Sequence, residues 1–242
     1  MAETTGIEWA DATWNPWQGC RKVSPGCKFC YAERDMERYG KNFTTVVRSK
    51  TTFDAPLKWL KNGKVKSDAK IFTCSFSDFF IEDADKWRDE AWNIIKRTPY
   101  TYLILTKRPE NIEGRLPDDW GDGYPNVWLL VSAENQEMFD NRWDILEDIP
   151  AVIKGVSAEP LLGFINIGIG AYPDWIITGG ESGNTSREMK KEWALFLIGQ
   201  CKMYKIPVFH KQNGGNKKIS GTWGGDTING NTYKQFPKGG NL

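Results

Sequence analysis

Short apolar runs rich in β-branched and aromatic residues recur along the chain, each running out into polar residues, with stretches of helical spacing between them. Lys70–Ser75 (KIFTCS), Thr101–Thr106 (TYLILT), Val127–Ser132 (VWLLVS), Val152–Ser157 (VIKGVS), Trp175–Thr178 (WIIT) and Pro207–His210 (PVFH) read as strands. A further strand is expected within Ile7–Trp14, ahead of the first cysteine. Lys86–Arg97 puts Trp87, Ala91, Ile94 and Ile95 on one helical face before Pro99 stops the run. In Glu188–Tyr204, Met189, Trp193, Phe196, Leu197 and Tyr204 follow the same spacing, and Pro207 opens the next strand. Tyr31–Tyr39 is compatible with a helix ended by Gly40.

Strands that alternate with helices pair in parallel, because a crossover returns each strand in the same direction. The expected fold class is therefore α/β: a partial TIM-like (β/α) barrel of six to seven mostly parallel strands. Residues 1–212 are expected to form it. Residues 213–242, rich in glycine and asparagine with isolated Trp223, Tyr233 and Phe236, are expected to be an irregular C-terminal extension packed on the same domain.

Charge and composition narrow the partners. With 32 basic and 31 acidic residues the net charge is +1, too small a field to favour duplex nucleic acid or a membrane surface. No apolar run approaches the roughly 20 residues that cross a bilayer. The opening Met-Ala-Glu-Thr-Thr-Gly lacks the pattern of a signal peptide, so a cytoplasmic location is expected. Five cysteines, three of them clustered, do not resemble a disulfide framework, and Cys74 and Cys201 read as small buried hydrophobes.

The cluster is Cys20-Arg-Lys-Val-Ser-Pro-Gly-Cys27-Lys-Phe-Cys30, with no fourth cysteine or histidine nearby. Structural zinc takes four protein ligands, whereas three thiolates on one loop suit an iron-sulfur cluster with one iron left open. The strand ends add polar groups: Ser75, Ser77 and Asp78; Lys107 and Arg108; Ser132 and Glu134; Ser157 and Glu159; Gly179-Gly180-Glu181-Ser182; Lys211 and Gln212. In parallel α/β folds these ends form the active-site mouth. Lys107-Arg108 suits a carboxylate or phosphate, and the glycine-rich turn suits a charged ligand held by backbone N–H groups. The single histidine, His210, removes most histidine-based hydrolytic mechanisms and reads as structural.

The string IEWADATWNPWQGCRKVSPGCKFCYAER, followed in order by CSFSDFF, LTKRPE, VSAEN, VSAEPLLG, ITGGESG and HKQ, resembles a phage and bacterial three-cysteine-motif family. That family is similar to a compact branch of the radical S-adenosylmethionine (SAM) superfamily. The resemblance covers nearly the whole chain. It implies a 4Fe-4S cluster on Cys20, Cys27 and Cys30, with SAM on the open iron and a carbon radical that abstracts hydrogen from a substrate. The spacing departs from the superfamily's usual C-x3-C-x2-C in its longer first loop. Phe29 falls where the superfamily often has an aromatic near the adenine. A glycine-glycine-glutamate follows the superfamily's second strand and holds the SAM amino group; here Ser75, Ser77 and Asp78 take that place, and Asp78 is the amino-group candidate. Gly155 and Glu159 resemble the fifth-strand motif near adenine, and Ser132 and Glu134 are candidates for ribose or methionyl contacts. Lys107, Arg108, Glu181 and Lys211 are expected to position the substrate or the SAM carboxylate.

The implied partners are a small polar or nucleotide-like substrate and an electron donor such as flavodoxin or ferredoxin. Duplex nucleic acid and membranes are disfavoured, and for a phage-encoded chain the compartment is the host cytoplasm. The alternative is a non-catalytic zinc-binding, nucleic-acid-interacting module, with Cys74 as a distant fourth ligand and exposed tryptophans stacking on bases.

Overall fold

The computed structural model describes residues 3–168 and 170–238; the two expected segments also include residues 1, 2, 169 and 239–242, which lie outside the described residues. Seven strands form one sheet: β1 (Ala12–Trp14), β2 (Lys70–Thr73), β3 (Thr101–Thr106), β4 (Val127–Ser132), β5 (Ile153–Ala158), β6 (Trp175–Gly179) and β7 (Val208–Gln212). Every neighbouring pair is parallel, and the order across the sheet is the order along the chain. The sheet curls into a half-barrel, the α/β architecture expected from the alternating pattern.

Among the described residues are five α-helices, α1 (Tyr31–Arg38), α2 (Ala55–Asn62), α3 (Asp85–Lys96), α4 (Gln136–Leu146) and α5 (Lys191–Tyr204); α2–α5 pack on the outer face, whereas α1 packs with the cysteine loop. Side-chain alternation along each strand divides the core in two. Outward residues such as Ile71, Tyr102, Leu129, Val156, Ile176 and Val208 share one cluster with Ala91, Ile94, Phe139, Leu197 and Ile198 of the helices. Inward residues Phe72, Leu103, Leu130, Ile153, Trp175, Ile177 and Phe209 form a second cluster that contains no helix residue.

The sequence pattern overestimates two strands. Of Ile7–Trp14 only Ala12–Trp14 is extended, and Trp9 instead packs edge-on against Phe72 in the inner cluster. Lys70–Ser75 stops at Thr73, because Cys74 turns into the left-handed region at φ 63° and redirects the chain over the mouth. Helix α5 begins at Lys191 rather than Glu188, although Met189 is already buried. Helix α4 had a readable start: Asn135 caps it, its Oδ1 accepting from the Met138 N–H at 3.0 Å.

The floor of the half-barrel is closed by segments from both ends of the described chain. Residues 233–235 run antiparallel to the outer edge of β7, with the His210 N–H donating to the Tyr233 carbonyl at 2.7 Å and the Gln235 N–H to Val208 at 3.1 Å. This pairing covers an edge that would otherwise present unpaired backbone groups. Phe236 then packs 5.3 Å from Trp175 and 5.4 Å from Phe209, and Lys234 pairs with Glu8 and Asp226. His210 is held by burial at a pKa of about 4, and its neutral ring places Nε2 3.2 Å from Asn213 Oδ1. Among the described residues no helix is long and apolar enough to cross a membrane.

Gly155 belongs to this packing. A Cβ there would lie 2.8 Å from the Trp175 carbonyl oxygen and 3.1 Å from the Leu130 side chain, so the two neighbouring strands leave room for glycine alone. Gly155→Ala is expected to destabilise the fold by about 1–3 kcal/mol through overpacking. Urea denaturation checks it; an unchanged midpoint would contradict the close approach.

Candidate functional site at the barrel mouth

The cysteine loop has almost no regular structure of its own. Gly19, at φ 102°, brings the chain against the Thr45 carbonyl, and the Cys20 N–H then donates to Phe43 at 2.8 Å. A 3-10 turn follows over Pro25–Cys27, with the Cys27 N–H on the Ser24 carbonyl at 3.0 Å. Cys30 occupies the N-cap position of α1 without a side-chain capping hydrogen bond, and the backbone N–H groups of Glu33 and Ala32 lie where they favour its thiolate. All three thiols are half-buried, and Cys20 and Cys30 pack against the same small cluster of Ala32, Met36 and Phe43.

Burial dominates the thiol chemistry. It pushes Cys20 up to about 11, with Asp78 adding to the rise and Arg108 opposing it. It also raises Cys30, against the Glu33 and Ala32 N–H groups and the Lys107 charge. Both are therefore protonated as free thiols at neutral pH, and metal binding would release protons.

Three strand-end carboxylates hold this loop. Asp78, after β2, accepts from the Phe80 N–H at 2.9 Å, Thr106 Oγ1 at 2.8 Å and the Lys107 N–H at 3.0 Å, and pairs with Arg108 at 3.3 Å. Arg108 in turn donates to the Arg21 carbonyl at 2.8 Å and lies 3.5 Å from Cys20 Sγ. Glu134, after β4, accepts directly from the Gly26 N–H at 2.7 Å and from Arg142 at 3.0 Å. A Cβ at Gly26 would lie 2.9 Å from the Glu134 carboxyl carbon, so only glycine permits this approach. Glu181, after β6, makes a two-oxygen pair with Arg187 at 2.9 and 2.6 Å. Arg187 reaches on to the Pro25 carbonyl at 3.0 Å and lies over the Phe29 ring at 5.2 Å.

Asp78, Glu134, Glu181 and Arg108 face the loop and are engaged by protein partners. Ser75 and Ser77 brace the approach to Cys20: Ser75 Oγ accepts from Asn15 Nδ2 at 2.9 Å, and Ser77 donates to the Gly19 carbonyl at 2.5 Å. The glycine-rich turn is not an open cradle, since the Gly180 and Gly183 N–H groups donate to the Gln212 and Gly215 carbonyls. A Cβ at Gly180 would lie 2.1 Å from the Asn213 carbonyl oxygen, which accounts for that glycine by close packing.

A second set faces the inner side of the mouth. Lys211 pairs with Glu159 at 3.1 Å, and Ser157 Oγ is 3.4 Å from the same carboxylate. Ser132 is in register with Ser157 on the neighbouring strand. The Lys107 ammonium bears on Cys30 and Glu134 but, among the described residues, makes no hydrogen bond or ion pair. The Tyr31 hydroxyl donates to the Ser75 carbonyl at 2.7 Å, and burial foremost raises its pKa.

Among the described residues no three His, Cys, Asp or Glu side chains converge closely enough to hold a single metal ion. The donor set nonetheless suits a larger iron-sulfur group: three half-buried sulfurs on one loop, with an Arg108 N–H directed at Cys20 and Cys30 placed at the N-terminus of α1. The partners that sequence reading missed are Arg142 and Arg187. Neither adjoins a strand end, and Arg142 lies on α4, a helix that the pattern left unread.

A family model described as "Protein of unknown function (DUF5131)" matches residues 4–237, so the chain belongs to that family. No curated protein matches it. Among solved structures, a spore photoproduct lyase variant with bound AdoMet and dinucleoside spore photoproduct is similar at 11% identity and a TM-score of 0.49, over 79% of this chain and 61% of that one. Another variant of spore photoproduct lyase is similar at 12% identity and a TM-score of 0.46, over 70% of this chain and 56% of that one. The chain thus spans less than two thirds of the length of these proteins.

Glu134 provides the test of the loop anchors. Burial would raise its pKa, but hydrogen bonds from Ser24 and Gly26 and the charges of Arg142 and Lys107 outweigh that and hold it below the usual 4.5. A depressed carboxyl contributes stability that is present above its unfolded pKa and lost as pH falls through the folded one. Glu134→Gln is expected to cost about 3–5 kcal/mol at pH 7 by breaking a buried pair. The deficit against the wild type should shrink below about pH 5. Urea unfolding across pH 2–8 checks it, and a pH-independent deficit would refute the charged role.

Proposed function

We propose that this DUF5131 protein is a radical SAM enzyme. Cys20, Cys27 and Cys30 would hold the 4Fe-4S cluster, with SAM beside it in the mouth. The observation that carries the reading is a loop of three half-buried thiols, with no fourth protein ligand among the described residues, braced over the C-terminal mouth of a parallel half-barrel. When bound, the cluster and SAM together supply one-electron chemistry that yields a carbon radical able to abstract hydrogen.

The chain's own residues would do the rest. Lys107, whose ammonium bears on Cys30 and has no ion pair among the described residues, would take an anionic group, either the SAM carboxylate or a substrate phosphate. Ser132, Ser157, Glu159 and Lys211 would receive the hydroxyl, amino and anionic groups of a small polar or nucleotide-like substrate. Phe29, held by Arg187, offers an aromatic face next to Cys30. The apolar inner cluster below would keep water from the reacting centre. A low-potential donor of the flavodoxin or ferredoxin kind would supply electrons. Segment 213–238, paired to β7 and packed on Trp175, would belong to the same unit. Free thiols of this kind suit a reducing cytoplasm.

The alternative of a zinc-binding nucleic-acid module has less support. Nine of the twelve tryptophans are buried and so unavailable for base stacking. Cys74, its proposed fourth ligand, lies in the core with its thiol pushed far up by burial.

After anaerobic reconstitution, Cys20→Ala, Cys27→Ala and Cys30→Ala should each lose the cluster, while Cys201→Ala keeps it. Iron and sulfide content with visible absorption measures this, and full iron retention in the first three would sink the assignment. SAM should alter the electron paramagnetic resonance spectrum of the reduced wild type; an unmoved spectrum at saturating SAM would point to a purely structural or redox cluster.

A further inference from the structure

Arg108 occupies an unusual place for a cation. Its side chain and that of Asp78 are each only 6% exposed, and the pair lies directly under the first cysteine. Nη1 is shared between Asp78 Oδ2 at 3.3 Å and Cys20 Sγ at 3.5 Å, while Nη2 donates to the Arg21 carbonyl at 2.8 Å. Its backbone is fixed as well, the Arg108 N–H donating to Thr106 Oγ1 at 2.9 Å. Asp78 cannot swing away, because both its oxygens already accept bonds from Phe80, Thr106 and Lys107. The guanidinium is thus locked against one sulfur. No cation is hydrogen-bonded to the other two sulfurs among the described residues: the Ser24 hydroxyl lies 3.8 Å from Cys27, and the Lys107 charge acts on Cys30 without a hydrogen bond to it.

We infer that Arg108, oriented by Asp78, is the positioning residue of Cys20, fixing the loop and donating an N–H to the ligating sulfur so that the cluster is easier to reduce. The inference rests on the cluster reading above. Reduction adds negative charge to the cluster and its sulfurs, and a hydrogen bond from a buried cation stabilises that charge more than it stabilises the oxidised form. Lysine would not substitute fully. Its compact ammonium cannot span a carboxylate, a sulfur and a carbonyl with one planar fork.

The test compares wild type with Arg108→Gln, Arg108→Lys and the double variant Asp78→Asn/Arg108→Gln, which avoids stranding a buried carboxylate if the single variant folds poorly. In metal-free protein, hydrogen exchange of amides 20–24 should accelerate in all three. In reconstituted protein, a potentiometric titration followed by electron paramagnetic resonance should show Arg108→Gln and the double variant about tenfold harder to reduce, about 59 mV lower for a one-electron couple. Arg108→Lys should recover part of the potential without recovering the exchange protection. A loaded wild type whose potential these substitutions leave unmoved, or unchanged exchange in the metal-free variants, overturns this inference alone. A wild type that takes up no cluster overturns the cluster reading and this inference with it.

Discussion

The structure depends on holding an irregular loop in one place over the mouth of a half-barrel. A loop with one 3-10 turn cannot fix three sulfurs by its own backbone bonds, so the fixing must come from outside it. It comes from carboxylates at the ends of alternate strands: Asp78 after β2, Glu134 after β4 and Glu181 after β6. Two of them act through an arginine, and the third reaches the backbone at Gly26 directly. Buried carboxylates are stable there because each is met by a cation and by N–H or O–H donors, which offsets the large penalty of leaving water.

The curled sheet supplies the rigid base for these anchors. Its two faces are filled differently: the outer by helix residues, the inner by large aromatic and aliphatic side chains alone. Trp128, Trp175, Phe209 and Phe236 contact one another by edge or tilted ring packing across the inner face. This explains how a chain with nearly balanced charge and many polar loops still builds a dense core. The tryptophans provide volume where a half-open barrel would otherwise leave voids.

The fold was largely legible because strand composition and helix spacing are local signals. The six later strands fall close to their expected places, and α3 begins one residue earlier than expected. The first strand was less legible. Ile7 and Trp9 carry a strand's apolarity but serve as part of the barrel floor, a tertiary role with no local signature. The three cysteines and the polar strand ends were also visible, but the direction of their bonds was not. Asp78, Glu134 and Glu181 read as groups facing a ligand, whereas their partners Arg108, Arg142 and Arg187 turn them toward the loop. Only the three-dimensional arrangement reveals that Gly26, 108 residues from Glu134 along the chain, needs that carboxylate.

With Arg108 after β3 as the exception, since it is itself bound to the loop, the charged residues at the strand ends divide by parity. Those after β2, β4 and β6 are fastened to the loop, while Lys107 after β3, Glu159 after β5 and Lys211 within β7 face the opening. This separates two kinds of heritable change. Variation at Lys107, Glu159 and Lys211 can remodel what enters the mouth while leaving the loop's supports untouched, whereas a change at an even-numbered end or at Arg108 disturbs the chemistry shared by every such remodelled form. A lineage built on this frame can diversify its ligands along one set of strands and keep its reactive centre constant on the other.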